Sequence, residues 1–175
     1  IWLSGQSETG LAAASYDTIS GQWNSYELNT AQAHNPKVVD ISVVDEALWL
    51  LLEETYNEDD INAGAQISDL NYYVMRMSFA GEMSCTPVQF LGDEVQEGGR
   101  PVICSLLGID EQQAVLTTYE HNYLIDPALN IISEDSLPVL GPITTTRVDD
   151  QLYVSLDGGL ELLDRESIQL GPHIS

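Results

Sequence analysis

Basic side chains are scarce in this 175-residue chain: five lysines and arginines stand against 28 aspartates and glutamates, for a formal net charge of −23. Nucleic acid is held largely through Lys and Arg contacts to phosphate, so this deficit argues against a DNA- or RNA-binding role. It disfavours docking on an anionic membrane surface for the same reason. Long apolar runs are also missing. No stretch approaches the roughly 20 residues that a membrane-spanning helix needs, so no membrane insertion is expected. No signal peptide, transit peptide or lipidation motif is legible. Only two cysteines occur, Cys85 and Cys104. Neither has a second Cys or a His at zinc spacing, which argues against a zinc cluster. They read equally well as a disulfide between neighbouring strands and as two buried thiols. The histidines are His34, His121 and His173, and no serine sits in a nucleophile-elbow context. Phosphate-cradling glycine loops and dinucleotide fingerprints are absent. No catalytic or cofactor-binding residue is assigned.

What the chain does contain is a repeat. Val44-Asp45-Glu46-Ala47-Leu48-Trp49 returns as Ile109-Asp110-Glu111-Gln112-Gln113-Ala114-Val115-Leu116 and again as Val148-Asp149-Asp150-Gln151-Leu152-Tyr153. Each copy is a hydrophobic strand, an acidic pair and a second strand. Ile1-Trp2-Leu3-Ser4 reads like the second half of the same unit. The acidic pairs are spaced by 65 and 39 residues, and a period near 40 built from short strands is the signature of a β-propeller or a related array. The expected fold is therefore all-β: a propeller of about four antiparallel blades at 1–34, 37–93, 100–138 and 142–175. The first blade is incomplete, and missing sequence or a second chain would complete the ring.

Residues 48–52, Leu-Trp-Leu-Leu-Leu, are the segment most easily mistaken for a helix. The acidic turn before them and their shortness predict a strand buried on both faces. Fourth strands are expected at 22–28, 86–91, 131–133 and 168–170, with 172–175 opening a further strand. Third strands end in Asp17, Asp126 and Asp164, and an aspartate at such a place caps the turn by accepting its backbone N–H groups.

Gly159-Leu160-Glu161-Leu162-Leu163-Asp164-Arg165-Glu166 resembles the repeat of bacterial β-propellers of the two-component-regulator and quinoprotein-like kind. Ile1-Trp2-Leu3-Ser4, Gly10-Leu11 and residues 17–23 resemble the same blade with a longer turn. The second and third units depart from it through an acidic excursion and a missing Gly-Leu pair. The WD dipeptide and the sialidase-type Asp-box are absent. The resemblance implies a sensory, scaffolding or carbohydrate-related role, and it supports, with the acidic composition, an extracytoplasmic location.

The function expected is a non-enzymatic module that binds a protein or glycan partner. A fragment of a carbohydrate-active enzyme and a purely structural repeat are the alternatives. Trp2, Trp49, Tyr119 and Tyr153 lie on strands and read first as core. The run Asn57-Glu58-Asp59-Asp60-Ile61-Asn62, backed by Asp69, has the oxygen density of a calcium loop without EF-hand spacing. It reads first as solvated acid and second as a calcium site formed by Asp59, Asp60 and Asp69.

Overall fold

The computed structural model describes residues 1–7, 10–30, 33–65, 71–89, 96–97, 100–101, 103–137, 144–156 and 159–174. The chain is all-β, as its strand-rich repeat predicts. The first sheet has three strands, β1 (Trp2–Ser7), β2 (Gly10–Asp17) and β3 (Gln22–Glu27). The second has β4 (Pro36–Val44), β5 (Ala47–Glu54), β6 (Tyr72–Ser78) and β7 (Met83–Pro87), with a short helix α1 (Glu58–Asn62) between β5 and β6. A two-residue pair, β8 (Gln96–Glu97) and β9 (Arg100–Pro101), follows. The third sheet holds β10 (Ile103–Gly108), β11 (Ala114–Thr118), β12 (His121–Ile125) and β13 (Ile131–Ser136). The fourth holds β14 (Thr144–Val148), β15 (Gln151–Leu156), β16 (Gly159–Leu163) and β17 (Leu170–Ile174). Every sheet is an antiparallel meander, so each strand pairs with its neighbour in sequence.

The sheets stack face to face in chain order. Strand β5 explains how. Side chains alternate across a strand, and Leu48, Leu50 and Leu52 turn toward Leu11, Ala13 and Leu28 of the first sheet and its exit. Trp49 and Leu51 turn the other way, against Leu106, Leu116 and Ile125 of the third sheet. Residues 47–52 are all buried, and this two-sided burial is why an unbroken apolar run forms a strand here. Strand β11 repeats the arrangement, with Leu116 facing the second sheet and Val115 facing Leu152 and Leu163 of the fourth. First strands lie beside first strands, β4 against β10 and β10 against β14, while β1 lies against β4.

Three expectations need correction. The fourth strand of the second sheet, expected from residue 86, begins earlier, as β7 at Met83–Pro87, and residues 90 and 91 of that expectation lie outside the described residues. Gly81, at φ 94°, closes a tight turn in which Ser78 N donates to Glu82 O at 2.8 Å, so pairing resumes at Met83. Residues 172–174 open no new strand. They complete β17, whose pairing with β16 is irregular between Glu161 and Leu163. The excursion after β5 holds α1, five residues too short to leave a periodic trace. Asn57 caps it by accepting from Asp59 N and Asp60 N, and the Asp60 side chain accepts from Asn57 N in return.

Gly108 shows how tightly the second and third sheets meet. A Cβ there would stand 2.7 Å from Trp49 Cδ1 and 2.8 Å from Val44 Cγ1. The indole cannot swing aside freely, because Trp49 Nε1 donates to Asp110 O at 2.9 Å. Gly108→Ala is therefore expected to destabilise the fold by about 1–3 kcal/mol through overpacking. Urea unfolding followed by tryptophan fluorescence measures this.

Candidate functional site

The acidic pairs of the repeat all sit in the hairpin between the first and second strands of a sheet. Asp45 and Asp149 take left-handed backbone, φ 48° and 54°, in two-residue turns. The turn at residues 109–113 is wider, and Asp110 Oδ1 accepts from Gln112 N at 2.7 Å. This wider turn collects cations. Arg76 Nε donates to Glu111 O and its guanidinium lies 3.6 Å from Glu111 Oε2. Arg147 Nη1 donates to Ile109 O at 3.2 Å, and Arg165 Nη2 lies 3.6 Å from Asp110 Oδ2. Three of the four arginines, drawn from the second and fourth sheets, thus converge on one hairpin of the third. The cluster ties three sheets together.

The aspartates that end the third strands cap their turns as expected. Asp17 accepts from Ile19 N and the Ser20 hydroxyl. Asp126 accepts from Ala128 N, Asn130 N and Asn130 Nδ2, and Asp164 from Glu166 N, Ser167 N and the Ser167 hydroxyl. These bonds favour the ionised form and hold all three carboxyls below their usual range, led by Ser20 for Asp17 and by the Ser167 N–H for Asp164. For Asp126 slight burial pushes upward and the Asn130 and Ala128 bonds outweigh it.

The most concentrated polar site is one that the sequence hides. Glu54, at the end of β5, is only 4% exposed. It accepts from His34 N at 2.7 Å, Asn71 N at 2.7 Å, Asn71 Nδ2 at 3.0 Å and Tyr73 Oη at 2.9 Å. One carboxylate therefore ties the segment entering the second sheet to the ends of β5 and β6. Burial pushes its pKa up, but the four bonds outweigh burial and hold it below the usual value of 4.5. Its partner moves the other way: burial, then the bond to Glu54, pushes the Tyr73 phenol from 10.0 up to about 12. A folded pKa above the unfolded one means stability present below pH 10 and lost as pH rises toward 12. Tyr73→Phe is expected to unfold less steeply across that window than the wild type, as pH-jump circular dichroism would record.

Around this clamp, Lys37 Nζ pairs with Glu53 Oε2 at 2.7 Å, and His34 Nε2 lies 3.0 Å from Asp60 Oδ2. Of the three candidate calcium ligands, Asp59 and Asp60 lie on α1 and Asp69 falls outside the described residues. The Asp60 carboxylate caps α1 and faces His34, and the Asn57 N–H first, then His34, hold it below its usual range. Among the described residues no three His, Cys, Asp or Glu side chains are gathered as ion ligands. Cys85 is on β7 and Cys104 on β10, in different sheets, and no disulfide joins them. Burial pushes the Cys85 thiol up, away from reactivity. Of the aromatics expected on strands, Trp49 is fully buried and Trp2 and Tyr153 are half-buried on theirs, whereas Tyr119, also half-buried, lies in the bend between β11 and β12 because β11 ends at Thr118. Sequence patterns passed over a different pair. Trp23 is 57% exposed and tilts against Tyr16 at 5.0 Å between ring centres, on the face of the first sheet turned away from the second.

No family model and no curated protein matches the chain. Among solved structures it is similar to a crystal structure, at 1.35 Å resolution, of a protein of unknown function from Bacteroides caccae. That match has a TM-score of 0.45 and 10% identity, and it covers 99% of this chain and 72% of the other.

Proposed function

We propose that the four sheets are consecutive blades of a β-propeller and that the chain is a non-enzymatic, extracytoplasmic binding or scaffolding module. The observation that carries this is the stacking order: each sheet packs its face on the next, and the first strands β4, β10 and β14 run side by side. Sheets arranged so about a shared axis gather their connecting loops on two rims, where a partner is met. A binding role is supported by the way the acids are spent. Asp110 and Glu111 tie sheets together, Asp17, Asp126 and Asp164 cap turns, and Glu54 serves as a structural clamp. The exposed Trp23 ring, held by the half-buried Tyr16, offers an apolar face that a sugar ring can stack on.

The test is a glycan array probed with the labelled chain, run beside chromogenic glycosides. Capture of a glycan without chromophore release, weakened at least tenfold in Trp23→Ala, supports the reading. Turnover replaces it with a carbohydrate-active enzyme using carboxylates of several blades. An empty array and no turnover leave a structural repeat.

A further inference from the structure

Asn122 carries a buried amide that the fold leaves half satisfied. It lies on β12 opposite Thr117 of β11 and is 0% exposed. Its neighbour Tyr123 and Thr117's neighbour Leu116 pack toward the second sheet, so by the alternation of a strand Asn122 and Thr117 face the fourth. Thr117 Oγ1 donates to Asn122 Oδ1 at 2.9 Å and lies 2.6 Å from Thr145 Oγ1 of β14. The Thr145 N–H in turn donates to Ser105 Oγ of β10 at 3.2 Å. All four residues are buried. Asn122 Nδ2 has no hydrogen-bond partner, alone among the buried side-chain nitrogen and oxygen atoms of the described residues. Leaving a buried N–H unpaired costs more than a made bond contributes, so such a group calls for a partner.

The preceding interface shows that packing does not ask for this polarity. Asp40 takes the N–H of Leu106 in the next sheet as Ser105 takes that of Thr145. Asp40 pairs with Leu51, and Leu51 with Val74, as Ser105 pairs with Thr117 and Thr117 with Asn122. Between the second and third sheets the three matching places are thus Leu51, Val74 and Leu106, all in one apolar core. Between the third and fourth they are Thr117, Asn122 and Thr145. The polar set has one side-chain heavy atom fewer, and it brings hydrogen-bonding groups to a place where aliphatic ones suffice.

We propose that a single water molecule is bound at the Asn122 amide, between the third and fourth sheets. Proton counting selects it. Thr117 has one hydroxyl proton. Given to Asn122 Oδ1, that proton makes Thr145 the donor to Thr117 and leaves Nδ2 in want of an acceptor. With the amide turned over, Nδ2 donates to Thr117, Thr117 donates to Thr145, and the amide oxygen wants a donor. A neutral molecule that both donates and accepts serves either arrangement, and Thr145 Oγ1 keeps a lone pair for it in both. None of the four side chains is charged, so an ion would be buried uncompensated. The inference goes beyond the ligand reading above, since it needs only the contact of two sheets.

A high-resolution crystal structure of the chain and ¹⁷O relaxation dispersion in solution test this together. Expected in the crystal is one ordered water within hydrogen-bond distance of the Asn122 amide. Asn122→Val copies Val74, the residue at the matching place in the second sheet. It is expected to lower the dispersion amplitude by about one long-lived water. The ¹⁷O signal reports the water oxygen itself, so exchanging threonine hydroxyl protons do not imitate it. Density that shows the amide unpartnered, paired only with protein atoms or holding an ion would overturn the proposal. So would a dispersion amplitude that Asn122→Val leaves unchanged. If Asn122→Val does not fold, the wild-type density decides alone.

Discussion

Trp49→Ala is expected to lower the free energy of unfolding by about 4 kcal/mol, the largest single-residue effect in the chain. Trp49 is 0% exposed and lies in the core between the second and third sheets. Truncation removes a large buried ring, and the space it leaves is bounded by paired strands that close only partially. It also strands the Asp110 carbonyl, which loses the indole donor at 2.9 Å. For a chain of this size the loss corresponds to a fall of about 10 °C in melting temperature. Trp49→Phe restores most of the volume without the donor and should recover more than half of the difference. Urea unfolding of the three proteins at pH 7, followed by circular dichroism, checks the order.

Glu54→Ala is expected to cost about 3 kcal/mol, although it removes a charge from a chain that carries far too many of one sign. Four donors converge on this carboxylate, and without it the Tyr73 hydroxyl, both Asn71 groups and the His34 N–H must be satisfied at the margin of the core. Relief of self-repulsion at one site in a −23 chain is small beside that, because surface charges are screened over about 10 Å at ordinary salt. The pH dependence separates the clamp from simple packing. The folded pKa of Glu54 is depressed, so its contribution is complete above the ordinary value of 4.5 and is lost as pH falls through the lower, folded value. The stability gap between the wild type and Glu54→Gln should therefore be widest near neutrality and narrow toward acid. A gap that stayed constant from pH 7 down to pH 3 would mean that shape alone, not the carboxylate, holds the clamp.

The features legible in the sequence are those in which a local rule and the tertiary structure agree. The acidic pairs mark hairpins because a two-residue turn needs a residue that tolerates left-handed backbone, and Asp45 and Asp149 supply it. Asp17, Asp126 and Asp164 mark turns because a short carboxylate reaches N–H groups two to four residues ahead. Residues 48–52 read as a strand because the acidic turn before them recurs. The rest depends on neighbours distant in sequence. Glu54 is one more acid after an apolar run until His34, Asn71 and Tyr73, 17 to 20 residues away, close on it. Arg76, Arg147 and Arg165 have no common motif, and only the stacking of three sheets brings them to one turn. Helix α1 is missed because five residues cannot express a period, and the one signal for it, the Asn57 and Asp60 capping pair, lies within a run that reads as solvated acid. The ends of β7 and β17 moved because turn geometry, which the apolar pattern does not encode, decides where pairing resumes.

The stacking order underlies the proposed blades, and methyl NOEs on a selectively labelled sample test it most directly. The account predicts contacts only between consecutive sheets: Leu50 with Leu11, Leu51 with Leu116, and Val115 with Leu152. Contacts that skip a sheet, such as Leu11 with Leu116 or Leu51 with Leu152, would contradict it.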